Sequence, residues 1–131
     1  TKFGKGFISI SENMITNQKK GKNIINLKNN DELLNVHHYK NDHLALTSKN
    51  QKLLIFDTSI LPTLNKGAGV QLMKIKEKDC IIDTSLFDLK EGLFWNKGSK
   101  FKSLKDIDFW IGKRAQVGKK IPKYFNKNLK F

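Results

Sequence analysis

Hydrophobic positions along this chain fall in short runs. Leu33–Tyr39, His43–Thr47, Leu53–Phe56, Val70–Ile75, Asp79–Asp83 and Ser85–Leu89 are of strand length. So are Phe7–Ile10, Ile24–Leu27 and Gly92–Trp95. Clusters of Gly, Asn, Asp and Lys bound them, which predicts short β-strands joined by turns. Gly4 is expected to supply the positive φ of one tight turn. Asn50 is expected to do the same in the hairpin that joins Thr47 to Leu53. Met14-Ile15, Ile60-Leu61-Pro62 and Leu64 read as apolar plugs in polar loops, and Pro62 forbids a central strand there. Only one segment has helical spacing: Leu104, Ile107, Trp110 and Ile111, with Ser103 and Asp106 before it and Gly112 as a stop. Beyond Gly112 the chain reads as an irregular tail with few strand signals.

The pattern repeats. Displaced by roughly 46 residues, Thr47 falls on Thr1, Asn50 on Gly4, and Leu53–Phe56 on Phe7–Ile10. Leu61 then falls on Ile15, Lys66 on Lys20, Gly67 on Gly21, Val70 on Ile24 and Met73 on Leu27. A looser third copy has a turn at Asn96–Ser99 and a second punctuation at Val117–Lys120. From Gly67 to Gly118 the spacing is roughly 51 residues, so the third copy carries a short insertion. The units are approximately 1–46, 47–92 and 93–131. The expected fold is all-β, built of propeller-like repeats. About three units are too few to close a ring of the roughly 4–8 blades usual in propellers. With no initiating methionine and a start inside an apparent hairpin, the sequence reads as a piece of a longer protein.

Composition narrows the partners. The net charge is +13, from 25 basic and 12 acidic residues. Such a balance favours a polyanion: nucleic acid first, an anionic membrane surface second. Arg114 is the only arginine, and lysines attract phosphate as point charges without reading base edges. Cys80 is the only cysteine, so no internal disulfide forms, which suits a reducing compartment. No apolar run has the length of a membrane span.

All 12 acidic residues lie outside two windows, 13–30 and 109–131. The first holds Lys19, Lys20, Lys22 and Lys28. The second holds Lys113, Arg114, Lys119, Lys120, Lys123, Lys127 and Lys130. Lys20, Lys66 and Lys119 fall beside the punctuating glycines. Units in a common orientation would gather these charges on one rim. The candidate nucleic-acid-binding residues are therefore Lys19, Lys20, Lys22, Lys66, Lys113, Arg114, Lys119, Lys120 and Lys123. The alternative is a solvated lysine surface on a lysine-rich protein.

No active site emerges. On a strand His37 and His38 point to opposite faces, which argues against a shared metal. Gly4-Lys5-Gly6 and Gly67-Ala68-Gly69 lack the Lys-Ser/Thr and following helix of a P-loop. No Ser, His or Asp sits in a nucleophile motif. Tyr39 sits in a strand-like run, and Tyr124 in a basic tail with no carboxylate cluster nearby to hold magnesium.

The segments Lys52–Phe56, Leu61-Pro62 and Lys66–Leu72 resemble the bacterial type IIA topoisomerases, at the C-terminal domain of the topoisomerase IV A subunit. Gly6-Phe7, Lys20–Lys22 and Ile24–Asn26 are similar to a preceding blade of that domain, and Trp110–Gly118 is similar to its last segment in alphaproteobacteria. The resemblance implies a β-pinwheel whose outer rim binds and bends duplex DNA. It implies a pair of A subunits joined to two ATP-hydrolysing B subunits, in the bacterial cytoplasm at the nucleoid. Such an enzyme passes one duplex through a break in another. The strand-cleaving tyrosine, the magnesium site and the ATP site of such an enzyme belong to parts not present here, so this piece itself needs no cofactor. The A subunit of gyrase shares the fold but usually carries a Gln-Arg-Arg-Gly-Gly-Lys-Gly box, which none of the three punctuations matches. A DNA-wrapping gyrase domain and a basic propeller-type protein-interaction piece are the alternatives. Salt-dependent DNA binding separates the last from the other two.

Overall fold

In the computed structural model, which describes residues 1–131, the chain is almost entirely β. Its centre is a hairpin of β2 (His43–Ser48) and β3 (Lys52–Asp57), with Ala45 opposite Ile55 and Leu46 opposite Leu54. Nearly every residue of both strands is buried, because both faces of the hairpin are covered. One face sends Leu44, Leu46, Leu54 and Phe56 into a core with Leu72, Met73 and Ile81. The other sends Ala45, Leu53 and Ile55 into a second core with Leu93, Trp95, Leu104 and Phe125. Each fully buried Leu, Ile or Phe contributes roughly 1.5–3 kcal/mol relative to exposure. β5 (Ile81–Phe87) flanks β2, and β8 (Lys119–Lys120) flanks β3, giving the order β5-β2-β3-β8. Two smaller sheets complete the fold: β1 (Lys5–Gly6) with β4 (Val70–Gln71), and β6 (Phe94–Lys97) with β7 (Lys100–Ser103).

The units are laced together by backbone pairing, and the lacing repeats. Lys5 and Gly6 face Gln71 and Val70; Lys52 and Leu53 face Lys120 and Lys119. The Leu72 amide donates to the Gly4 carbonyl at 2.6 Å, and Ile121 to Gln51 at 2.9 Å. Leu64 donates to Ile8 at 2.7 Å, and Gly112 to Ile55 at 2.8 Å. Asn26 donates to Gly67 and Lys74 to Gln116, both at 2.9 Å. Every pair joins one unit's hairpin or return segment to the loop of the next.

This lacing corrects the register read from sequence. Gly21, Gly69 and Gly118 are the matching glycines, with φ of 79°, 80° and 83°, whereas Gly67 sits at 151°. One residue of the shift is already present in the hairpin, where Lys52 matches Lys5, and a second accumulates in the loop, where few side chains are buried to fix a straight alignment. Lys20, Lys66 and Lys119 are therefore not equivalent. Lys119 corresponds to Val70 and Lys22, each following its glycine.

Other expectations shift for identifiable reasons. The segment 104–111 is no α-helix but a single 3-10 turn, Ile107–Phe109, preceded by Asp106 at φ 54° with no side-chain cap. Its apolar residues pack as a plug, since Ile107, Trp110 and Ile111 lie against the second core. Gln51 at φ 61°, not Asn50, takes the left-handed position of the central hairpin, and Gly4 does so at φ 93°. Asp79–Asp83 and Ser85–Leu89 merge into one strand, β5. Phe7–Ile10 and Ile24–Leu27 reduce to single parallel bridges, Ile8 to Thr63 and Ile25 to Gly67. Leu33–Tyr39 forms no strand. It corresponds to β5, whose partner is β2, and a β2 counterpart is not among these residues. Instead Asn35 Nδ2 and His37 Nε2 lie 2.8 and 2.7 Å from the Thr84 hydroxyl.

Carboxylates tie the turns. Asp79 Oδ1 accepts from the Asn50 and Cys80 amides, and Asp31 Oδ1 accepts from Phe3 and Glu32 in the same way. Asp42 is held below the usual carboxylate range by its hydrogen bond to His43, 2.7 Å away, and by the Leu89 amide. Asp57 is lowered by the Ser59 amide at the start of a 3-10 turn. A carboxylate with a depressed folded pKa stabilises the fold above its unfolded value, near 4, and loses that effect as pH falls through the folded one. Thermal midpoints should therefore drop as pH is lowered below about 4. The Asp42→Asn and Asp57→Asn variants should drop less over the same range. Equal acid sensitivity in wild type and variants would contradict these assignments.

Candidate nucleic-acid interface

The basic residues have almost no carboxylate partners within the chain. Of 25 lysines and arginines, only Lys2 makes an ion pair with a carboxylate, at 3.3 Å to Glu32. The other close acid–base contact is Asp42 with His43. The rest of the positive charge faces solvent or touches neutral groups.

The structure gathers the candidates at the two junctions between units. At the first, Gly67 donates to the Ile24 carbonyl, so Lys66 lies beside the segment that carries Lys22. Lys19 and Lys20 precede Gly21 in the exposed loop leading into that segment. At the second, Lys113 and Arg114 lead into β8, which holds Lys119 and Lys120. Lys120 pairs with Lys52 across the sheet. Lys123 follows Pro122 and is exposed, next to Tyr124, whose ring stacks on Trp95.

Two side chains depart from the sequence reading. Arg114 Nη1 donates to the Gln71 carbonyl at 2.8 Å, so the only arginine is engaged as a staple between units. Lys74 is absent from the sequence candidates, yet it lines one cleft with Lys119, Leu54, Trp110, Gly112 and Gln116. Nearby Glu77 and Asp79 mask it in sequence. Its correspondence to Asn26, which also bonds the next unit's loop, is the signal that could have found it.

Lys119 Nζ sits 4.2 Å from the centre of the Phe109 ring. Phe109 meets Trp110 edge-on at 4.9 Å, and Trp110 Nε1 donates to the Lys120 carbonyl at 3.0 Å. No group of three or more His, Cys, Asp or Glu side chains is arranged to hold a metal, and no helix is long and apolar enough to cross a membrane.

Repeated short-stranded units laced edge to edge, with unpaired lysines at the junctions, define a basic β-pinwheel domain. No protein-family profile matches the chain. The chain is 35% identical over 128 residues to the A subunit of DNA topoisomerase 4 from Rickettsia bellii, covering 98% of this chain and 17% of that protein. It is 31% identical to the same subunit from Caulobacter vibrioides, over 100% of this chain and 17% of that protein. Among solved structures, a C-terminal domain of DNA topoisomerase IV superposes with a TM-score of 0.76 at 26% identity, over 98% of this chain and 41% of that one. The E. coli ParC C-terminal domain has the same fold, with a TM-score of 0.76 at 21% identity, over 94% of this chain and 54% of that one. Over nearly its whole length the chain is homologous to topoisomerase IV A subunits and shares the fold of their C-terminal domains, and it spans about a sixth of the length of the curated relatives it matches.

Proposed function

We propose that this chain is a duplex-DNA-binding and DNA-bending domain of a topoisomerase IV A subunit. Supporting this reading is the surplus of basic side chains at the unit junctions, nearly all without a carboxylate partner. A duplex following both junctions must curve with the array of units. In the assembled enzyme the domain presents duplex to the strand-passage machinery, for unlinking daughter chromosomes and relaxing supercoils. Its partners are double-stranded DNA, the rest of the A subunit, and the ATP-hydrolysing B subunit in an A2B2 assembly in the cytoplasm. Cleavage, magnesium binding and ATP hydrolysis reside in those other parts. The domain contributes position and curvature.

Binding is phosphate-driven, because lysines dominate and Arg114 is turned inward to a carbonyl. Unrelated duplexes of equal length at fixed salt should bind with affinities within about 100-fold of each other, the value of one or two good base contacts. Affinity should fall steeply with salt, and energy transfer between dyes on the duplex ends should rise on binding. A larger sequence preference, or binding insensitive to salt, would overturn the proposal.

A further inference from the structure

We infer that Phe109 is a positioning residue for DNA binding, holding the Lys119 ammonium where it meets a backbone phosphate. This rests on the DNA-binding reading above. Phe109 is 53% exposed, so much of its ring is not used in a core. Its edge-on neighbour is Trp110, and over its face lies a charge: the Lys119 ammonium, at 4.2 Å. Such a contact is a favourable electrostatic attraction between a cation and the ring's negative face.

Both partners are fixed from behind. Lys119 lies on β8, whose pairing with Leu53 and Lys52 anchors its backbone. Phe109 ends the 3-10 turn, and the next residue, Trp110, packs against the second core and accepts the Ile55 amide at 3.1 Å. The Trp110 indole then ties the turn to β8 through the Lys120 carbonyl. A free lysine loses rotamer freedom when it meets a phosphate. Lys119 has already lost part of that freedom, and N–H donors directed away from the ring remain available.

The preceding unit shows that this is a local departure from the repeat. Leu61 and Val70 occupy the matching positions, and both pack against the first core. The third unit puts a cation on an aromatic ring where the second puts two aliphatic side chains.

The test uses the 131-residue chain, a dye-labelled duplex and four variants. Lys119→Met should weaken binding and lower the slope of log affinity against log salt by about 0.9, one phosphate contact. Phe109→Leu should weaken binding by about two- to fivefold while leaving the thermal midpoint near wild type. Phe109→Tyr should restore it. In the Lys119→Met background, Phe109→Leu should have no further effect, since the ring would have no cation to hold. Wild-type affinity in Phe109→Leu, or the same loss with and without Lys119, would overturn the inference while leaving the domain reading intact. Failure of the wild-type chain to bind duplex at all would overturn the domain reading itself.

Discussion

Replacing Gly118 by alanine is expected to cost several kcal/mol of stability, and replacing Gly21 by alanine only about 1–2 kcal/mol. The three matching glycines share a backbone conformation but not a neighbourhood. At φ near 80° an L-residue carries a strain of roughly 1–2 kcal/mol. At Gly21 that is the whole cost, because a Cβ there would meet nothing within 4 Å. A Cβ on Gly118 would lie 2.7 Å from the Leu53 carbonyl oxygen, 3.0 Å from its carbon and 3.2 Å from Leu54 Cβ. Gly69 is similar, with the Gly6 carbonyl oxygen at 2.6 Å. These obstacles are mostly backbone, so they cannot swing aside. Relief requires parting β3 from β8, or β1 from β4. Overpacking of this kind adds roughly 1–3 kcal/mol to the strain. Denaturant unfolding of Gly118→Ala, Gly69→Ala and Gly21→Ala measures the difference directly. Equal losses at all three positions would mean that strain alone, and not the close crossing of units, requires glycine.

The second large effect concerns DNA. Changing Lys74, Lys113, Lys119 and Lys120 together to glutamine should weaken binding to every duplex and flatten its salt dependence. If each makes one phosphate contact, the slope should fall by roughly 3–4. A control set of Lys76, Lys78 and Lys90 should change far less, because Glu77, Asp79 and Glu91 already offset their field. Arg114→Gln divides the two roles that sequence merges: with its guanidinium on the Gln71 carbonyl, its loss should lower stability more than it lowers the salt slope. Exposed charges contribute little to folding, so the quadruple variant should unfold close to wild type. If both lysine sets weaken binding equally, attraction by net charge alone is enough and the junctions have no special part. If the proposed function holds, a whole topoisomerase carrying the quadruple variant should still cleave DNA but unlink circles poorly. Unlinking at the normal rate would remove these lysines from the mechanism.

Legibility in the sequence followed burial. The central hairpin is plain because both its faces are apolar and both are covered, so His43–Ser48 and Lys52–Asp57 follow the expected runs closely. The repeat is visible as well, down to a punctuating glycine in each unit. Its register is not, because Gly67 and Gly69 are equally glycine on paper, and only the approach of the Gly6 backbone distinguishes them. The 104–111 segment misleads because a plug of four apolar residues mimics helical spacing, while the decisive contacts come from Ile55 and the tail. Of the candidate site, the lysine clusters are readable from the absence of acids. The inward turn of Arg114 and the recruitment of Lys74 depend on which loop lies across which strand. That is set by pairing between residues more than forty positions apart, and local composition carries no trace of it.

The lacing between units also governs how the domain comes apart. In an array whose units merely stack, each can melt alone at the cost of one interface. Here the loop of each unit completes its hydrogen bonds on the hairpin before it, so opening the third unit strips β3 of β8 and leaves Gln51, Leu53 and Ile55 with unpaired backbone groups. A pull on the loops at one junction is thus resisted in shear by the neighbouring sheet. The domain behaves less like a string of beads than like a zipped strap, in which load on one tooth is shared by the next.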